Sequence, residues 1–349
     1  MSLQQQETAV SHDSANHQFA ILIGLVGGVR LAKGVHVAIE LGLPELINTT
    51  AISTKTLAEL TDTHEKSLYR LLRALASIGI FKELEPTHFV ASDLSNYLRK
   101  DYPGTMRDMV LMMFADSDWE AWKHLDYSIR TGRSAFEYVH GVDSWTYLAS
   151  HPKEYAVFNR AMTSISDATN PSIAGAYDFS TIHTLADIGG GHGKLLATIL
   201  QSHPSMQGIL FDHAEVIGSA HEFIRNAHLE DRCQLISGSF FDTVPTGADG
   251  YLLKHVLHDW DDENCIKILT ACRKAMDVNA KLLIAEQVVA STNAPVGTVS
   301  TDLSMLVGPG GCERTEEEYR VLLAATGFVI SGVYPTHALH SVIEAVPLI

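Results

Sequence analysis

A glycine-rich segment near the middle of the chain has residue types that suit ligand binding. It reads Leu185-Ala-Asp-Ile-Gly-Gly-Gly-His-Gly193, and an apolar stretch compatible with a helix follows from Lys194 to Leu200. This order predicts a strand, a tight turn and a helix. Glycine allows positive φ and lets a ligand approach the peptide planes, while the start of a helix offers unpaired N–H groups. The segment therefore predicts a site for a nucleotide-like cofactor, with a purely structural turn as the alternative.

The spacing of the glycines argues against a dinucleotide cofactor. The dinucleotide fingerprint G-x-G-x-x-G, counted from Gly189, requires glycine at the position that Lys194 occupies. The chain instead has G-x-G-x-G at Gly189, Gly191 and Gly193, preceded by Asp187. This form is similar to motif I of the class I methyltransferases that use S-adenosylmethionine (SAM).

Polar residues follow the ends of a series of predicted strands. The strands are predicted at Thr184–Ile188, Gly208–Phe211, Cys233–Ile236, Gly250–Lys254 and Lys281–Ala285. They alternate with helices, which is typical of a doubly wound parallel sheet. Because the carboxyl ends of parallel strands meet at one edge, polar residues at these ends are expected on a single rim. These residues are Asp187, Asp212, Ser239 to Asp242, Lys254 to His258, and Glu286.

Two rim residues have side chains that suit a cofactor and a proton transfer. Asp212 lies 23 residues after Gly189, where an acid on the second strand reaches ribose hydroxyls, although a solvated turn would also explain it. His258, with Glu286 one strand over, suits a general base oriented by a carboxylate. A helix cap or a core histidine is the alternative, and His255 is expected to be structural.

The chain is long enough for about two domains. Residues 1–17, rich in Gln, Ser, His and Asn, predict a flexible tail. Residues 18–104 predict a winged-helix-like domain, with helices near 56–61 and 65–79 before a hairpin. Residues 105–349 predict the cofactor domain. Within it, 105–176 is helical and rich in aromatic residues and methionine, which suits an apolar substrate pocket or a plain core, and 177–349 forms the sheet.

Charge argues against nucleic acid as a partner. Winged helices often bind DNA, but residues 1–100 contain nine Lys/Arg against ten Asp/Glu, and the formal net charge of the chain is −16. Phosphate binding requires clustered Lys and Arg. The apolar N-terminal helix, which contains Leu22 and Leu25, could instead face a second subunit.

Cysteine, histidine and hydropathy patterns argue against a disulfide-rich, metal-binding, secreted or membrane-spanning protein. The four cysteines form no CxxC pair and no zinc spacing, so free thiols in a reducing compartment are expected. No metal motif is present among the 18 histidines. Phe19 to Val29 imitates a signal-peptide core without a basic segment before it, and no stretch is expected to reach the roughly 18 apolar residues that a membrane span requires. A cytoplasmic protein without metal or membrane contact is predicted.

Several motifs in the same order resemble a known family, the SAM-dependent small-molecule O-methyltransferases of the caffeic acid and hydroxyindole type, including bacterial members. The resemblance covers nearly the whole chain. It rests on Leu185-Ala-Asp-Ile-Gly-Gly-Gly-His-Gly193, Phe211-Asp212, Gly238-Ser-Phe-Phe-Asp242, Leu253-Lys-His-Val-Leu-His-Asp-Trp260 and Gly310-Gly-Cys-Glu-Arg-Thr315. It implies an α/β fold, a Rossmann-like doubly wound sheet of the class I methyltransferase type, with an N-terminal winged-helix dimerisation domain that forms a homodimer.

The resemblance also implies roles for individual residues. His258 would be the base, Glu286 and Glu313 would flank its imidazole, and Asp259 would support the site. Further residues would contact SAM, with Phe240 against the adenine, namely Asp187, Gly189, Gly191, Asp212, Ser239, Phe240 and Lys254. Three residues fall where the family lines its acceptor pocket, namely Phe158, Met162 and Met305. Plant members usually have Asp where this chain has Ser239, which weakens adenine recognition at that position.

The sequence hypothesis is methyl transfer from SAM to a hydroxyl of a small aromatic molecule, with a phenolic hydroxyl expected and S-adenosyl-L-homocysteine as the product. A phenol titrates near pH 10, so a base beside it is needed at neutral pH. Two alternatives stay open. One is a SAM-binding relative that has diverged to hydroxylation, decarboxylation or pericyclic chemistry, and the other is a winged-helix regulator that binds DNA.

Overall fold

The computed structural model describes residues 3–348, with side chains from residue 17 onward. The chain forms two compact units. The first contains the chain up to residue 115 together with residues 156–164, and the second contains residues 116–155 and the chain from residue 165. The sequence predicts a boundary after residue 104, so the first unit extends further along the chain and includes one part of a later helix.

The first unit combines helices with a small sheet. Its helices are α1 (Leu3–Glu40), α2 (Leu43–Leu46), α3 (Thr54–Thr61), α4 (Glu65–Ser77), α5 (Asp93–Asn96) and α6 (Arg107–Met113). Its strands are β1 (Ile52–Ser53), β2 (Phe81–Glu85) and β3 (His88–Ala91), which pair antiparallel in the order β1-β3-β2. The succession of α3, α4 and the β2–β3 hairpin confirms the winged-helix pattern.

The local sequence explains these elements. The Ser53 hydroxyl accepts the N–H of Thr56 and so caps the start of α3. Helix α4 places Leu68, Leu72 and Leu75 on one face, and all three are buried. This face forms the core of the unit with the hairpin.

Helix α1 carries an apolar surface that the rest of the chain leaves exposed. It begins at Leu3, within the segment for which the sequence predicts a tail, and residues 1 and 2 lie outside the described residues. Its stretch His17–Glu40 has a mean hydropathy of 1.5 in its most apolar part, of which 11% is buried. By length and composition alone this stretch could cross a membrane. The prediction that no such stretch exists was wrong, because it considered only uninterrupted apolar runs.

The second unit contains the large sheet and ten helices or parts of helices. The helices are α7 (Asp116–Trp122), α8 (Leu125–Thr131), α9 (Ala135–His140), α10 (Ser144–Ser150), α11 (Pro152–Ala176, of which 156–164 belongs to the first unit), α12 (Lys194–Ser202), α13 (Ala214–Asn226), α14 (Asp262–Ala275), α15 (Val296–Val307) and α16 (Glu316–Ala325). Two 3₁₀ turns span Phe179–Thr181 and Leu257–Asp259.

The strands of the second unit form one sheet. They are β4 (Thr184–Ile188), β5 (Gln207–Asp212), β6 (Cys233–Ser237), β7 (Gly250–Lys254), β8 (Lys281–Val289), β9 (Arg314–Thr315), β10 (Phe328–Pro335) and β11 (His340–Pro347). The order is β10-β11-β8-β7-β4-β5-β6, and β9 pairs with β8. The strands β4 to β9 pair in parallel, and the β10–β11 hairpin is antiparallel. The predicted strands are confirmed within two residues, except at β8.

Strand β8 is longer than the sequence predicts. It continues past Ala285 to Val289, so Glu286 lies inside the strand and not after its end. The reason is that β8 keeps partners on its flanks, since Glu286 pairs with Ser341 of β11 and Val288 pairs with Arg314 of β9. Glu286 therefore has its backbone fixed by a ladder, which is a more rigid mounting than a loop.

Apolar helices cover both faces of this sheet, as its parallel core requires. One buried cluster joins alternate residues of β4, β7 and β8 to α14 and α16, and a second joins the opposite faces to α12 and α13. Thr315 and Glu318 form a capping box at the start of α16, with both hydrogen bonds present. The sheet is thus a fixed frame for the residues at its carboxyl edge.

Candidate active site

The glycine turn joins β4 to α12, as the sequence predicts. Gly189 has φ +70° and donates its N–H to the carbonyl oxygen of Phe211 at 2.8 Å. A Cβ at this position would lie 2.9 Å from a methyl carbon of Val256, which is closer than side chains tolerate. A Cβ at Gly191, in contrast, would meet nothing within 4 Å. The turn therefore packs tightly on its protein side and leaves open space beside Gly191.

Asp212 lies at the end of β5 and faces this turn. Its Oδ2 accepts the N–H of Gly191 at 2.8 Å, and its Oδ1 accepts the N–H of His213 at 2.7 Å. A carboxylate offers about four lone-pair positions, so each oxygen can accept a further hydrogen bond. The carboxylate can thus hold the turn and still accept two hydroxyl protons.

The aromatic side chain of Phe240 lies against the glycine turn at Gly189. A Cβ on Gly189 would lie 3.4 Å from the ring of Phe240, and Phe240 packs edge-on against Phe241 with centroids 4.9 Å apart. The Ser239 side chain makes a contact within its own loop, because its hydroxyl accepts the N–H of Phe241 at 3.2 Å. Phe240 offers an apolar face to a ligand, whereas the Ser239 hydroxyl is engaged within the loop.

Asp187 and Lys254 form the buried ionic part of the rim. Asp187 is 2% exposed, and burial raises its pKa to about 7, although the charge of Lys254 acts in the opposite direction. Burial lowers the pKa of Lys254 to about 8, against the charges of Asp187 and Glu286. The Lys254 ammonium donates to the hydroxyl of Ser166 at 2.9 Å. Ser166 lies on α11, and no sequence signal marks it.

His258 lies in the 3₁₀ turn after β7 and is 8% exposed. Its Nδ1 is 2.8 Å from Oε1 of Glu313 and 3.7 Å from Oε2 of Glu286. Its Nε2 is 3.5 Å from Oδ1 of Asp259, too far for a strong hydrogen bond. The structure therefore brings together the four residues that the resemblance implies for catalysis. A hydrogen bond from Nδ1 to Glu313 leaves Nε2 free to accept a proton.

The carboxylates determine the acidity of His258. Burial acts to lower its pKa, but the charges of Glu286 and Asp259 and the hydrogen bond to Glu313 outweigh it and raise the pKa to about 10. Burial raises the pKa of Glu286 to about 7 and that of Asp259 to about 6. The site thus stabilises a proton on the imidazole.

Glu286 also has a structural contact that distinguishes it from Glu313. Its Oε1 accepts the N–H groups of Val256 and Leu257 at 2.9 and 3.1 Å, directly before His258. Within the described residues, Oε2 of Glu286 and Oε2 of Glu313 are buried without a hydrogen-bond partner. One donor atom from each of His258, Glu286 and Glu313 lies within 4.8 Å of the others, a grouping that could hold a cation. Within this grouping, the 2.8 Å distance from Nδ1 of His258 to Oε1 of Glu313 has the length of a direct hydrogen bond between the two side chains.

His255 is buried in a separate contact. It has φ +54°, and its Nε2 lies 2.5 Å from Nε2 of His340 on β11. Its ring also stacks on that of His258, with centroids 5.0 Å apart. The contacts of His255 are thus with neighbouring histidines, in agreement with the structural role predicted for it.

The three predicted acceptor-pocket residues lie on two helices. Phe158 and Met162 are one turn apart on the part of α11 that belongs to the first unit, and Met305 lies on α15 in the second unit. All three are half-buried. Their common role in a pocket stays a prediction.

The residues around the glycine turn fit SAM in chemical type. SAM has a ribose diol, a flat adenine and an amino-acid portion. The Asp212 carboxylate binds the turn at Gly191 and the Phe240 ring lies against it at Gly189, and these two groups match the diol and the adenine in chemical type. The fit rests on these donors, acceptors and apolar surfaces.

Two family descriptions match the chain. An O-methyltransferase domain matches residues 122–329, and an O-methyltransferase dimerisation domain matches residues 23–101. The mitomycin biosynthesis 6-O-methyltransferase of Streptomyces lavendulae is 38% identical over 90% of this chain and 90% of its own length. The phenazine O-methyltransferase PhzM of Lysobacter antibioticus is 38% identical over 94% of this chain and 96% of its own length.

A solved structure agrees with these matches. The O-methyltransferase NcsB1 of neocarzinostatin biosynthesis, solved with SAM and 2-hydroxy-5-methyl naphthoic acid, is 30% identical with a TM-score of 0.79. The match covers 91% of this chain and 96% of that chain. From the fold, the glycine turn and these matches, the chain belongs to the SAM-dependent O-methyltransferases.

Proposed function

We propose that this protein methylates a phenolic hydroxyl of a small aromatic molecule, with His258 as the general base. The observation that carries the proposal is the orientation of the imidazole. Nδ1 is held by Glu313 at 2.8 Å, so Nε2 is the nitrogen available to the hydroxyl of an acceptor. SAM supplies the activated methyl group when it is bound. The chain supplies the base and its orientation.

The acidity of His258 suits a phenol. An imidazolium with a pKa of about 10 is matched to a phenol, which titrates near pH 10. The neutral imidazole of His258 is then a stronger base towards the hydroxyl proton than an ordinary histidine, whose pKa is about 6.5. Glu286, Glu313 and Asp259 contribute by stabilising the imidazolium.

The residues proposed to hold SAM follow from the rim. Asp212 would accept the ribose hydroxyls, Phe240 would contact the adenine, and Gly189 and Gly191 would allow close approach of the backbone. Asp187 and Lys254 would set the charge near the amino-acid portion, and Ser239 would act through its turn. These assignments rest on residue type and on position at the carboxyl edge of the sheet.

An aromatic acceptor is proposed from the relatives. Phenazine and naphthoic acid, which appear in the names of a relative and of a solved complex, are flat aromatic molecules. Phe158, Met162 and Met305 have apolar and polarisable side chains that suit such a surface. We propose them as lining residues of the acceptor pocket.

We also propose a homodimer formed through the first unit. The dimerisation-domain match covers residues 23–101, which include most of the exposed apolar part of α1. A second copy would cover this surface, so α1 would be an interface helix and not a membrane span. Together with the negative net charge, this favours a cytoplasmic enzyme without nucleic-acid or membrane partners.

Incubation with methyl-labelled SAM and a panel of phenols, naphthols and hydroxyquinones tests the proposal. We expect a product heavier by one methyl group, and S-adenosyl-L-homocysteine beside it. We expect His258→Ala to lower kcat by about 10²- to 10⁴-fold, while the exposed control His221→Ala stays at wild-type level. A product of another mass would indicate hydroxylation, decarboxylation or pericyclic chemistry. Full activity of His258→Ala would show that His258 is not the base.

A further inference from the structure

The side chain of Arg314 contacts the backbone on both sides of His258. Its guanidinium donates from Nη1 to the carbonyl oxygen of Leu257 and from Nη2 to that of Trp260, each at 2.9 Å. Leu257 directly precedes His258, and Trp260 is two residues after it. The Arg314 side chain is 3% exposed. A single buried cation therefore joins the two ends of the short turn that carries the imidazole.

The geometry of these bonds suits arginine and no other side chain. Nε and Nη2 also donate to Oδ1 of Asp262 at 3.1 and 2.8 Å. The planar guanidinium directs several N–H groups in fixed directions, whereas a lysine ammonium is a single point with rotating donors. Arg314 thus holds three acceptors at fixed mutual positions, with its charge balanced at the exposed carboxylate of Asp262.

Gly311 makes a second contact with the same turn. A Cβ at Gly311 would lie 2.0 Å from the carbonyl oxygen of His258, 2.5 Å from the carbonyl carbon of Asp259 and 2.6 Å from the nitrogen of Trp260. All three are backbone atoms, so no side-chain movement could relieve the overlap. The loop backbone therefore rests directly on the backbone of the His258 turn, which only glycine permits.

The loop that carries these residues is itself fixed at several points. The Ser134 hydroxyl donates to the carbonyl oxygen of Gly308 at 2.6 Å, and the N–H of Glu313 donates to Asp302 at 2.9 Å. Arg314 is paired with Val288 in the parallel ladder. Strand β8, which contains Val288, also contains Glu286, and the Glu286 carboxylate accepts the backbone N–H groups just before His258. The turn is therefore held through its N–H groups by β8 and through its carbonyl groups by Arg314.

We propose that Arg314 and Gly311 are positioning residues that clamp the backbone around His258 and thereby set its imidazole against Glu313 and the acceptor hydroxyl. The inference rests on the proposed role of His258 as base. Neither residue touches the reacting atoms. Both act by fixing the turn, because an error of about 1 Å in the position of a catalytic group can lower a rate about 100-fold.

The variant Arg314→Lys tests the clamp, because it keeps the charge and removes the planar arrangement of donors. The matched control is Arg320→Lys on α16, where Arg320 pairs only with Glu316 and Glu317 at the surface. The first readout is the downfield proton resonance of the hydrogen bond from Nδ1 of His258 to Glu313, assigned by its absence in His258→Ala. We expect this resonance to shift or broaden in Arg314→Lys and Gly311→Ala and to be unchanged in Arg320→Lys.

The second readout compares two acceptors of the same shape. With 2-naphthol, which needs a base, we expect Arg314→Lys to lower kcat about 10- to 100-fold with the KM for SAM unchanged. With its heptafluoro analogue, whose hydroxyl is ionised at neutral pH, we expect a loss of less than about threefold, because no proton is left for His258 to remove. A general structural defect would lower kcat equally for both acceptors. An equal loss with the two acceptors would therefore overturn the proposal.

If Arg314→Lys folds poorly, a milder variant tests the same contacts. Asp262→Asn removes the charged partner of the guanidinium at its exposed end and leaves the two carbonyl contacts in place. Because the guanidinium is then less firmly held against the two carbonyl oxygens, we expect a smaller change of the His258 resonance in the same direction, and an unchanged resonance would contradict the clamp. If wild-type protein methylates no acceptor, the proposed function fails, while the resonance still decides whether Arg314 positions His258.

Discussion

The two nitrogens of His258 have different environments, and this difference determines how pH should act on the enzyme. Nδ1 is directed at carboxylates, while Nε2 has no contact short enough for a strong hydrogen bond. The pKa of the imidazole, about 10, lies above the ordinary value of 6.5. Below this pKa the imidazole of His258 stays protonated, so the neutral imidazole that would act as the proposed base is the minor form at pH 7.

The pH dependence of kcat/KM follows from this shift. We expect kcat/KM for a phenol to rise from pH 7 to pH 9, because the neutral fraction of His258 grows as the pH approaches about 10. Glu313→Gln removes a hydrogen-bonded charge that raises the pKa of His258, so its rising limb should move to lower pH with a lower maximum. The control is Glu317→Gln, whose side chain is 76% exposed on α16. An unmoved limb in Glu313→Gln would show that Glu313 does not act on His258.

At the scale of elements, the β10–β11 hairpin is joined to the β7 turn by two buried histidines. Burial lowers the pKa of His340 to about 4 and lowers that of His255 well below its usual value. A histidine with a lowered folded pKa stabilises the protein above the unfolded value of about 6.5, and this stability is lost as the pH falls towards the folded value. The contact between the two rings is therefore sensitive to acid.

The free energy of unfolding should report this sensitivity. We expect wild-type stability to fall between pH 6.5 and pH 4, and His340→Gln to reduce that fall by about 1 to 3 kcal/mol, since one pKa unit corresponds to about 1.36 kcal/mol. Urea denaturation at several pH values measures it, with the exposed His221→Gln as the control. An equal acid dependence in His340→Gln and wild type would contradict the assignment.

The sequence predicts the sheet well, and it places two of the candidate site residues at the sheet edge, for a physical reason. Apolar runs that end in polar residues mark the carboxyl edge of a parallel sheet, which is why Asp212 and His258 can be placed from the sequence. Glu286 was expected beyond the strand, because ladder partners from β9 and β11 cannot be seen in a local pattern. The position of Arg314 beside His258 cannot be predicted from a local sequence pattern, because its guanidinium donates to the carbonyl oxygen of Leu257, 57 positions earlier in the chain.

At the scale of the whole molecule, α1 carries the exposed apolar surface that we propose as the dimer interface. Leu25 and Val26 are 71% and 66% exposed, and neighbouring apolar residues extend this surface along the helix. Leaving such a surface in water is unfavourable, by about 25 cal/mol for each Å². A second copy of the chain is the partner that the dimerisation-domain match favours.

Light scattering after size exclusion tests the dimer. We expect the wild-type mass to be about twice that of the 38.1 kDa chain, and Leu25→Glu with Val26→Glu to shift the mass towards that of one chain, because buried unpaired charges are strongly unfavourable. Gln18→Glu, at an exposed position of the same helix, adds the same type of charge and should leave the dimer intact. A dimer that persists in the double variant would place the interface elsewhere.

Cys312 gives the clamp around His258 a chemical consequence. Cys233, Cys265 and Cys272 are buried, and Cys312 is half-exposed between Gly311 and Glu313. Burial raises its pKa, so alkylation should be slow at neutral pH and faster in alkali. A fluorescent thiol reagent would thus attach at one place, on the loop beside His258, and its emission would report whether a substitution such as Arg314→Lys loosens that loop.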